Sequence, residues 1–281
     1  MNRSDQPSLA ASAHIDTGDF LLPGSGLSAL LIHGLSGTPY EMRYLAQRLA
    51  GAGMRVRAVK LAGHAASPED LAASDADGWY ASAVAGFEQL RGFGDPIVVV
   101  GLSAGALLGA KLTVEQPGAI AGLVMLSPAF YLPRAAASAL RVVGMLGAIA
   151  SRLYVASDGS DIQDAAARRV HPSLRMMPLN APIELLRLSA AVRPMLSRIT
   201  QPVLVIHSRL DHTCPMDRNV GFVTSHLKRA RVRSVILEQG YHVITVDLDK
   251  ERVAAEVLAF ALHLLPAQSQ PNSALDPAPA R

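Results

Sequence analysis

The sequence contains one cysteine, Cys214, among 281 residues. A single cysteine cannot form a disulfide within the chain, which excludes a disulfide-stapled fold and indicates a reducing compartment. Aromatic residues make up only 5% of the chain and charged residues only 17%, with 26 Lys and Arg against 23 Asp and Glu. The one dense basic run, Lys228–Arg233, has no aromatic residue within it. This composition argues against a nucleic-acid-binding protein, since such proteins usually gather basic and aromatic residues on one surface.

Long uninterrupted hydrophobic runs are also missing. The longest apolar stretch lies between Arg134 and Arg152 and is interrupted by Arg141, so it does not predict a membrane span. No apolar segment follows the first polar residues, so no signal peptide is expected and we predict a cytoplasmic protein. Polar residues without periodicity predict an N-terminal arm over 1–20, and a polar, proline-containing end predicts a disordered tail over 266–281.

Half of the residues are hydrophobic, and short apolar runs alternate with helix-like segments. The runs are mostly continuous, as in parallel strands that are covered by helices on both faces. The predicted strands are Ala29–His33, Arg55–Val59, Pro96–Val100, Gly122–Leu126, Pro202–His207 and Arg233–Glu238. The predicted helices are Glu41–Ala52, Asp77–Arg91 with Asp77 as its N-cap, Ala104–Glu115, Asp217–Leu227 and Lys250–Leu264. This order predicts an α/β fold with a doubly wound, mostly parallel sheet.

One connection between predicted strands is much longer than the others. The 75 residues between Leu126 and Pro202 greatly exceed the dozen or so that a helical crossover needs. The best helical segments within this connection are Ala135–Ala150 and Ala181–Val192. The predicted division of the chain is a core over 21–127 and 200–265 and a helical cap over 128–199, inserted between two strands.

The sharpest motif in the sequence is Gly101-Leu102-Ser103-Ala104-Gly105. It follows one predicted strand directly and opens the next predicted helix. A strand-to-helix turn of this tightness needs small residues around its central serine, and it presents the serine oxygen at the carboxyl edge of the sheet. Gly-x-Ser-x-Gly can arise by chance in a chain rich in small residues, but the strand before it and the helix after it favour Ser103 as a nucleophile.

A serine hydroxyl is a weak nucleophile near neutral pH and needs a base that is oriented by an acid. In a fold of this type the order along the chain is serine, acid, histidine. Asp211 follows a predicted strand and lies 108 residues after Ser103. His242 follows the next predicted strand, 31 residues after Asp211. Because all three positions fall at the same expected sheet edge, we predict that they form one catalytic set.

The acyl oxyanion formed in such a reaction needs hydrogen-bond donors, and two backbone amides are predicted to supply them. One is Ala104, at the helix N-terminus directly after the serine. The other is Leu35, where the neighbouring Gly34 and Gly37 allow the backbone to turn toward Ser103. His33 is expected to order this loop through a hydrogen bond.

The remaining polar candidates have structural interpretations. The histidines in this group are His171, His207, His212, His226 and His263. Asp247 and Asp249 are expected to lead into the last helix as turn or cap residues. Cys214 is interpreted as a small, semi-buried loop residue. No clustered Cys, His or Asp spacing is typical of a metal site, so no metal and no cofactor are predicted.

Four segments of the sequence carry a family resemblance. They are Leu31–Ala46, Leu61–Leu71, Gly101–Ser103 and Tyr241–Asp247. Together they resemble bacterial carboxylesterases and monoacylglycerol lipases of the α/β-hydrolase superfamily, over roughly Ala29–Leu264 except the cap. The resemblance implies the α/β-hydrolase fold and the same roles for the residues selected above: Ser103 as nucleophile, Asp211 as acid, His242 as base, and Leu35 and Ala104 as oxyanion donors.

The sequence departs from the family pattern at three positions close to these motifs. Ala104 stands where Met or Leu is frequent, and Ala106 and Ala65 stand where glycine is expected. The Gly-x-Ser-x-Gly motif itself is intact, so activity is still expected. A small Ala104 could widen the pocket beside the nucleophile, and substrate choice is therefore not transferred from the family.

The expected function is a serine carboxylester hydrolase that acts on a small-molecule ester with an apolar acyl group. The candidate wall residues for that group in the cap are Phe130, Tyr131, Leu132, Met145, Leu146 and Leu185, although cap packing accounts for most of them. Two alternatives stay open at this point: an acyltransferase or thioesterase with the same three residues, and a non-catalytic ligand-binding relative. A peptidase would share the three residues, but no segment predicts a pocket for an amine terminus.

Overall fold

The computed structural model describes residues 15–157 and 159–265 of the chain. The strands within these residues are β1 (Phe20–Leu22), β2 (Ser28–Ile32), β3 (Arg55–Val59), β4 (Ile97–Leu102), β5 (Ile120–Leu126), β6 (Tyr154–Ala156), β7 (Met176–Pro178), β8 (Val203–Ser208) and β9 (Val232–Leu237). Seven of them form a sheet in the order β1-β3-β2-β4-β5-β8-β9. Only β1 runs antiparallel to its neighbour in this sheet. The predicted α/β fold with a mostly parallel sheet is confirmed.

Helices cover both faces of this sheet. In the same part of the chain they are α1 (Tyr40–Gly51), α2 (Pro68–Ala72), α3 (Ala76–Arg91), α4 (Ala104–Glu115), α5 (Arg134–Gly144), α6 (Ala165–Val170), α7 (Asn180–Val192), α8 (Met216–His226) and α9 (Lys250–Leu262), with 3-10 helices at Gly147–Arg152 and Arg193–Arg198. All six residues of β4 are buried. Val98 and Val100 face the hydrophobic layer that α1 and α9 cover, whereas Ile97 and Val99 face the layer that α3 and α4 cover. Burial on both faces explains why this strand is a continuous apolar run.

Two local predictions about helices were wrong. The N-cap of α3 is Asp75 and not Asp77: the Asp75 backbone is extended and its carboxylate accepts a hydrogen bond from the Gly78 amide at 2.8 Å. The predicted helix Ala135–Ala150 ends at Gly144. Gly147 has a φ of +57°, which cannot continue a right-handed helix, and a separate 3-10 helix begins at this residue.

The long connection between β5 and β8 contains α5, α6, α7, both 3-10 helices and the antiparallel pair β6–β7. Part of it lies at the carboxyl end of β4, because Leu174, Met177 and Leu185 line a cavity together with Ser103. We call this connection the inserted segment. The boundaries predicted for the core, over 21–127 and 200–265, and for the cap, over 128–199, stay predictions.

The two predicted ends of the chain fall partly outside the described residues. Of the predicted arm over 1–20, residues 15–20 are described, and Phe20 already belongs to β1. The predicted tail over 266–281 lies outside the described residues. In the ranges that the structure covers, no helix combines the length and the apolar character needed to cross a membrane.

A buried carboxylate–imidazole contact ties the inserted segment to the sheet's own helices. Glu41 of α1 and His171, which follows α6, are both buried, and Glu41 Oε1 lies 3.1 Å from His171 Nε2. The other ring nitrogen of His171 lies within hydrogen-bonding distance of the hydroxyls of Ser160 and Ser173, at 3.0 and 2.8 Å. Removal of either partner therefore strands a buried polar group.

We predict that His171→Ala lowers the free energy of unfolding by about 3 kcal/mol, because the Glu41 carboxylate is left buried without its partner. The double variant Glu41→Met/His171→Leu should lose clearly less, since apolar side chains of similar size fill the same space. Urea denaturation of the three proteins measures both losses. A double variant as unstable as His171→Ala would contradict the prediction.

Candidate active site

Ser103 lies at the turn between β4 and α4 in a strained backbone conformation, with φ 55° and ψ −114°. Glycines on both sides make this turn possible. A Cβ atom at Gly101 would lie 2.1 Å from the Gly105 carbonyl oxygen, and one at Gly105 would lie 2.2 Å from the Ile32 oxygen. Larger residues at either position would push the turn away from the strands, so the motif is required by steric contact.

The structure brings the three predicted catalytic side chains together. His242 Nε2 lies 2.9 Å from Ser103 Oγ, although the two residues are 139 positions apart. His242 Nδ1 lies 2.7 Å from Asp211 Oδ2. Ser103 and His242 are both 7% exposed, so their contact is largely shielded from solvent while the hydroxyl still borders a cavity. The imidazole is thus placed to take a proton from the serine and to be held by the carboxylate.

The Asp211 carboxylate accepts hydrogen bonds on both of its oxygens. Oδ1 accepts from the amides of Thr213 and Cys214 at 2.9 and 2.7 Å. Oδ2 faces His242 and also lies 2.9 Å from His207 Nε2. Burial alone favours the neutral acid, but the two histidines and their hydrogen bonds outweigh it and hold the pKa of Asp211 well below its usual range. The residue is therefore a fixed negative charge at neutral pH.

The pKa of His242 is raised above its ordinary value of 6.5. Burial disfavours the charged ring, but the Asp211 charge and hydrogen bond favour it more strongly, and Asp161 and Glu41 add to the same direction. An imidazole with a raised pKa is a stronger base toward the serine proton. It also becomes protonated, and so loses that ability, at a higher pH than an isolated histidine does.

The predicted oxyanion donors both lie close to Ser103. Leu35 lines the cavity, and Ala104 is the first residue of α4, where N–H groups lack helical partners. Within residues 15–157 and 159–265, neither amide donates a hydrogen bond. Gly34 brings the loop against the serine, since a Cβ there would lie 3.2 Å from Ser103 Cβ. Two amides without partners beside Ser103 can donate hydrogen bonds to a negative charge that develops on a substrate oxygen.

His33 makes the loop-ordering hydrogen bonds expected from the sequence. Its Nδ1 donates to the Gly34 carbonyl at 2.8 Å, and its Nε2 accepts from the Leu61 amide at 3.2 Å. Burial, assisted by repulsion from His64, lowers the pKa of His33 to about 3. Burial likewise lowers the pKa of His64 to about 4. Both rings are neutral at pH 7, and the acceptor role of His33 depends on that neutral form.

A cavity of about 260 Å³ opens beside the serine and is lined by both the core and the inserted segment. Its apolar lining residues are Leu35, Leu102, Leu132, Leu174, Met177, Pro182, Leu185 and Val243. Its polar lining includes Glu41, Ser157, Ser160, Asp161, Ser173 and Thr213. The cavity therefore has an apolar wall suited to hydrocarbon and a separate set of hydrogen-bonding groups.

Only part of the predicted apolar wall is found there. Leu132 and Leu185 line the cavity. The other four predicted wall residues lie elsewhere, with Phe130 and Tyr131 at a separate depression and Met145 and Leu146 exposed on the surface. The prediction for these four was wrong, because the apolar character of residues in an inserted segment does not reveal which way their side chains face.

Three residues that position the site were not recognised from the sequence. His207 was interpreted as a strand-end residue, yet it contacts the Asp211 carboxylate. The Asp161 carbonyl accepts hydrogen bonds from the His242 and Val243 amides, at 3.1 and 3.2 Å. Asp247 is fully buried and accepts four backbone N–H bonds, from Gln163, Asp164, Tyr241 and Leu248, at 2.7 to 2.8 Å. In the sequence, only the short spacing between Asp247 and His242 pointed to a role for Asp247 in the site, and no feature pointed to Asp161.

The other polar candidates occupy structural positions. His212 is exposed and contacts the Asp161 carboxylate at 3.0 Å. His226 and His263 hydrogen-bond to backbone carbonyls of their own helices. Asp249 is the N-cap residue of α9, and Cys214 is fully buried, which raises the pKa of its thiol. In the described ranges, no three His, Cys, Asp or Glu side chains are grouped so as to hold a metal ion.

Comparison with known proteins shows the family to which the chain belongs. Residues 28–249 match the Hydrolase_4 family, described as serine aminopeptidase, S33. The chain belongs to this α/β-hydrolase family. It is 31% identical to the thermostable monoacylglycerol lipase of Bacillus sp. (strain H-257) over 241 residues, which cover 86% of this chain and 92% of the lipase. It is 25% identical to the carboxylesterase of Bacillus subtilis (strain 168) over 242 residues, covering 86% and 94% of the two chains.

Solved structures show the same fold. A structure described with LipS and LipT, two metagenome-derived lipolytic enzymes, matches with a TM-score of 0.80 and 30% identity, covering 87% of this chain and 97% of that one. A monoglyceride lipase from Saccharomyces cerevisiae matches with a TM-score of 0.75 at 14% identity, covering 89% and 92%. The second likeness concerns the fold alone.

We predict that the free energy of unfolding falls as the pH is lowered from about 6.5 to about 4.5. His33 and His64 bind protons near pH 6.5 when unfolded but only near 3 and 4 when folded, so stability is present above 6.5 and is lost toward the folded pKa values. His242 does not contribute to this loss, because its raised pKa gives full stabilisation at every pH below 6.5. Asp211 does not contribute either, because its stabilisation is lost only below pH 3.8, its pKa in the unfolded chain.

Urea denaturation at a series of pH values measures this slope. The variant His64→Gln should flatten it, whereas His226→Gln, on the exposed end of α8, should keep the slope of the unaltered protein. Equal slopes in the two variants would show that the buried pair is not responsible.

Proposed function

We propose that Ser103, His242 and Asp211 hydrolyse carboxylic esters through an acyl-enzyme on Ser103. The observation that carries this assignment is the continuous hydrogen-bond chain from Ser103 Oγ through the His242 ring to Asp211 Oδ2, at 2.9 and 2.7 Å. The reaction class follows from the family and from two relatives that cover most of the chain, a monoacylglycerol lipase and a carboxylesterase. The chain is a serine ester hydrolase, and the acyltransferase or thioesterase alternative is not favoured.

In the proposed first half-reaction, Ser103 Oγ attacks the ester carbonyl carbon while His242 Nε2 takes its proton. The Asp211 carboxylate stabilises the resulting imidazolium and keeps the ring oriented. The carbonyl oxygen becomes negative and accepts hydrogen bonds from the amides of Leu35 and Ala104. Collapse of this intermediate breaks the ester bond, and His242 returns the proton to the departing alcohol.

In the second half-reaction, water replaces the alcohol and attacks the acyl-enzyme. His242 removes a proton from the water and then returns it to Ser103 Oγ, which leaves a free carboxylic acid and the enzyme restored. The substrate proposed for this cycle is a small-molecule ester whose acyl chain contacts the apolar wall with Leu132 and Leu185. A cytoplasmic location stays a prediction.

Ser103→Ala should lower kcat for a p-nitrophenyl acyl ester by about 10⁴- to 10⁶-fold, because the nucleophilic hydroxyl is missing and no acyl-enzyme can form. Ser225→Ala, on the exposed face of α8, is the matched control and should keep full activity. Circular dichroism checks that both variants fold. Undiminished hydrolysis by purified Ser103→Ala would reject the mechanism. A parallel assay with an aminoacyl p-nitroanilide measures peptidase activity for comparison.

The acidic limb of the profile of kcat/KM against pH should lie above pH 6.5, because His242 must be neutral to accept the serine proton and its pKa is raised. Asp211→Asn removes the negative charge that causes the shift, so the limb should move to lower pH while kcat falls by about 10⁴-fold. Stopped-assay rates from pH 5 to 9 give both quantities. A limb in the same place in both proteins would show that Asp211 does not set the protonation of His242.

A further inference from the structure

A second depression, separate from the catalytic cavity, is framed by arginines. It has a volume of about 260 Å³, and its charged lining residues are Arg134, Arg141, Arg193 and Arg218. We call it the arginine depression. Its four guanidinium groups come from three elements: two from α5, one from the 3-10 helix that follows α7, and one from α8. Because these elements are distant in sequence, the cluster is produced by the tertiary fold.

In the part of the chain that the structure describes, no acidic side chain forms an ion pair with these four arginines. The lining of the arginine depression includes no Asp or Glu. Among the described residues, none of the four arginines forms an ion pair, and the side chains of Arg134 and Arg141 also make no hydrogen bond. Asp217 lines an adjoining depression with Arg134 and Arg218 and pairs with neither. Several like charges around one concave space repel one another, and a bound anion would remove that repulsion.

An aromatic ring orients two of the guanidinium groups. The Arg218 and Arg193 Cζ atoms lie 4.0 and 4.8 Å from the centroid of the Tyr131 ring. The Arg193 Nε also donates to the Ser189 carbonyl at 3.2 Å. The Tyr131 backbone is held in turn by the fully buried Asn219, which accepts from its amide at 2.8 Å and donates to its carbonyl at 2.9 Å. The donors are thus partly fixed before any ligand binds.

We propose that the arginine depression binds a phosphate group that carries an organic substituent. Guanidinium groups donate paired N–H bonds that match phosphate oxygens, and a phosphate has enough oxygens to engage several of them at once, whereas a carboxylate is matched by one or two. The volume exceeds that of the ion alone. Apolar side chains of Phe130, Ala137 and Leu186 line the remaining space and would contact the substituent.

The site adjoins the catalytic cavity through one side chain. Leu132 lines both the catalytic cavity and the arginine depression. The proposal does not rest on the assignment of the catalytic residues, because no residue of the hydrogen-bond chain from Ser103 to Asp211 lines the depression. Both soluble phosphate esters and phospholipid headgroups carry such a phosphate group, and the chemistry that recognises it is the same.

Two binding measurements on the full chain test the proposal and distinguish the sources. Isothermal titration with glycerol 3-phosphate, in about 0.1 M salt to screen distant charges, measures the soluble form. Flotation with phosphatidylcholine vesicles measures binding to the lipid form, and the vesicles are used with and without about 30% phosphatidylglycerol, which is on the order of the anionic lipid content of cellular membranes. The test variant is Arg134→Gln/Arg141→Gln, and the control Arg229→Gln/Arg231→Gln removes the same charge from the exposed run before β9.

The unaltered protein and the control should bind at least one of the two probes, and the test variant should bind it about tenfold or more weakly, since it lacks two of the four guanidinium groups that would hold the phosphate. Binding of the soluble ester alone supports the proposal with a soluble ligand, and binding of anionic vesicles alone supports it with a lipid. No binding to either probe, or an equal loss in both variants, overturns it. Circular dichroism excludes unfolding as the cause of a loss.

Discussion

The backbone at Ser103 is the constraint on which the site depends. Its positive φ of 55° is costly for a residue with a side chain, by about 1–3 kcal/mol, and it persists only because the turn is pressed between β4, α4 and the loop after β2. The same turn starts α4, so it exposes the Ala104 amide beside the serine oxygen. One strained residue therefore fixes the position of both the proposed nucleophile and one of the proposed oxyanion donors.

The other half of the site is organised around a buried negative charge. Asp211 accepts from two amides of its own loop and faces the rings of His242 and His207, so its orientation is set from several directions. The inserted segment completes this arrangement, since the Asp161 carbonyl holds the amide of His242. The Asp161 carboxylate also accepts a hydrogen bond from the His212 amide at 3.0 Å. The loops with the acid and the base are thus joined through a residue that belongs to neither.

Local chemistry explains what could be predicted from the sequence. The Gly-x-Ser-x-Gly turn, the continuous strands and the order of Ser103, Asp211 and His242 follow from steric and topological rules that act over short stretches. The contact of His207 with Asp211, the clamp at Asp247 and the true cavity wall depend on how distant elements pack. The inserted segment was predicted as a whole, but the faces that its helices bury were not, because those faces depend on which distant elements the helices pack against. The break at Gly147 shows the same limit.

Burial acts in the same direction on two histidines of this site, yet their pKa values shift in opposite directions, and the comparison shows what suits one of them to act as a base. His33 and His242 are both buried, which disfavours the charged ring in each. His33 faces a carbonyl and an amide, so burial prevails and the ring is neutral and serves as a structural link. His242 faces a carboxylate, which reverses the net direction and allows the ring to hold a proton during the reaction. The base role proposed for His242 therefore depends mainly on the Asp211 carboxylate, whereas His33, which follows β2, four strands from β9 in the sheet, has no carboxylate partner among the described residues and stays neutral.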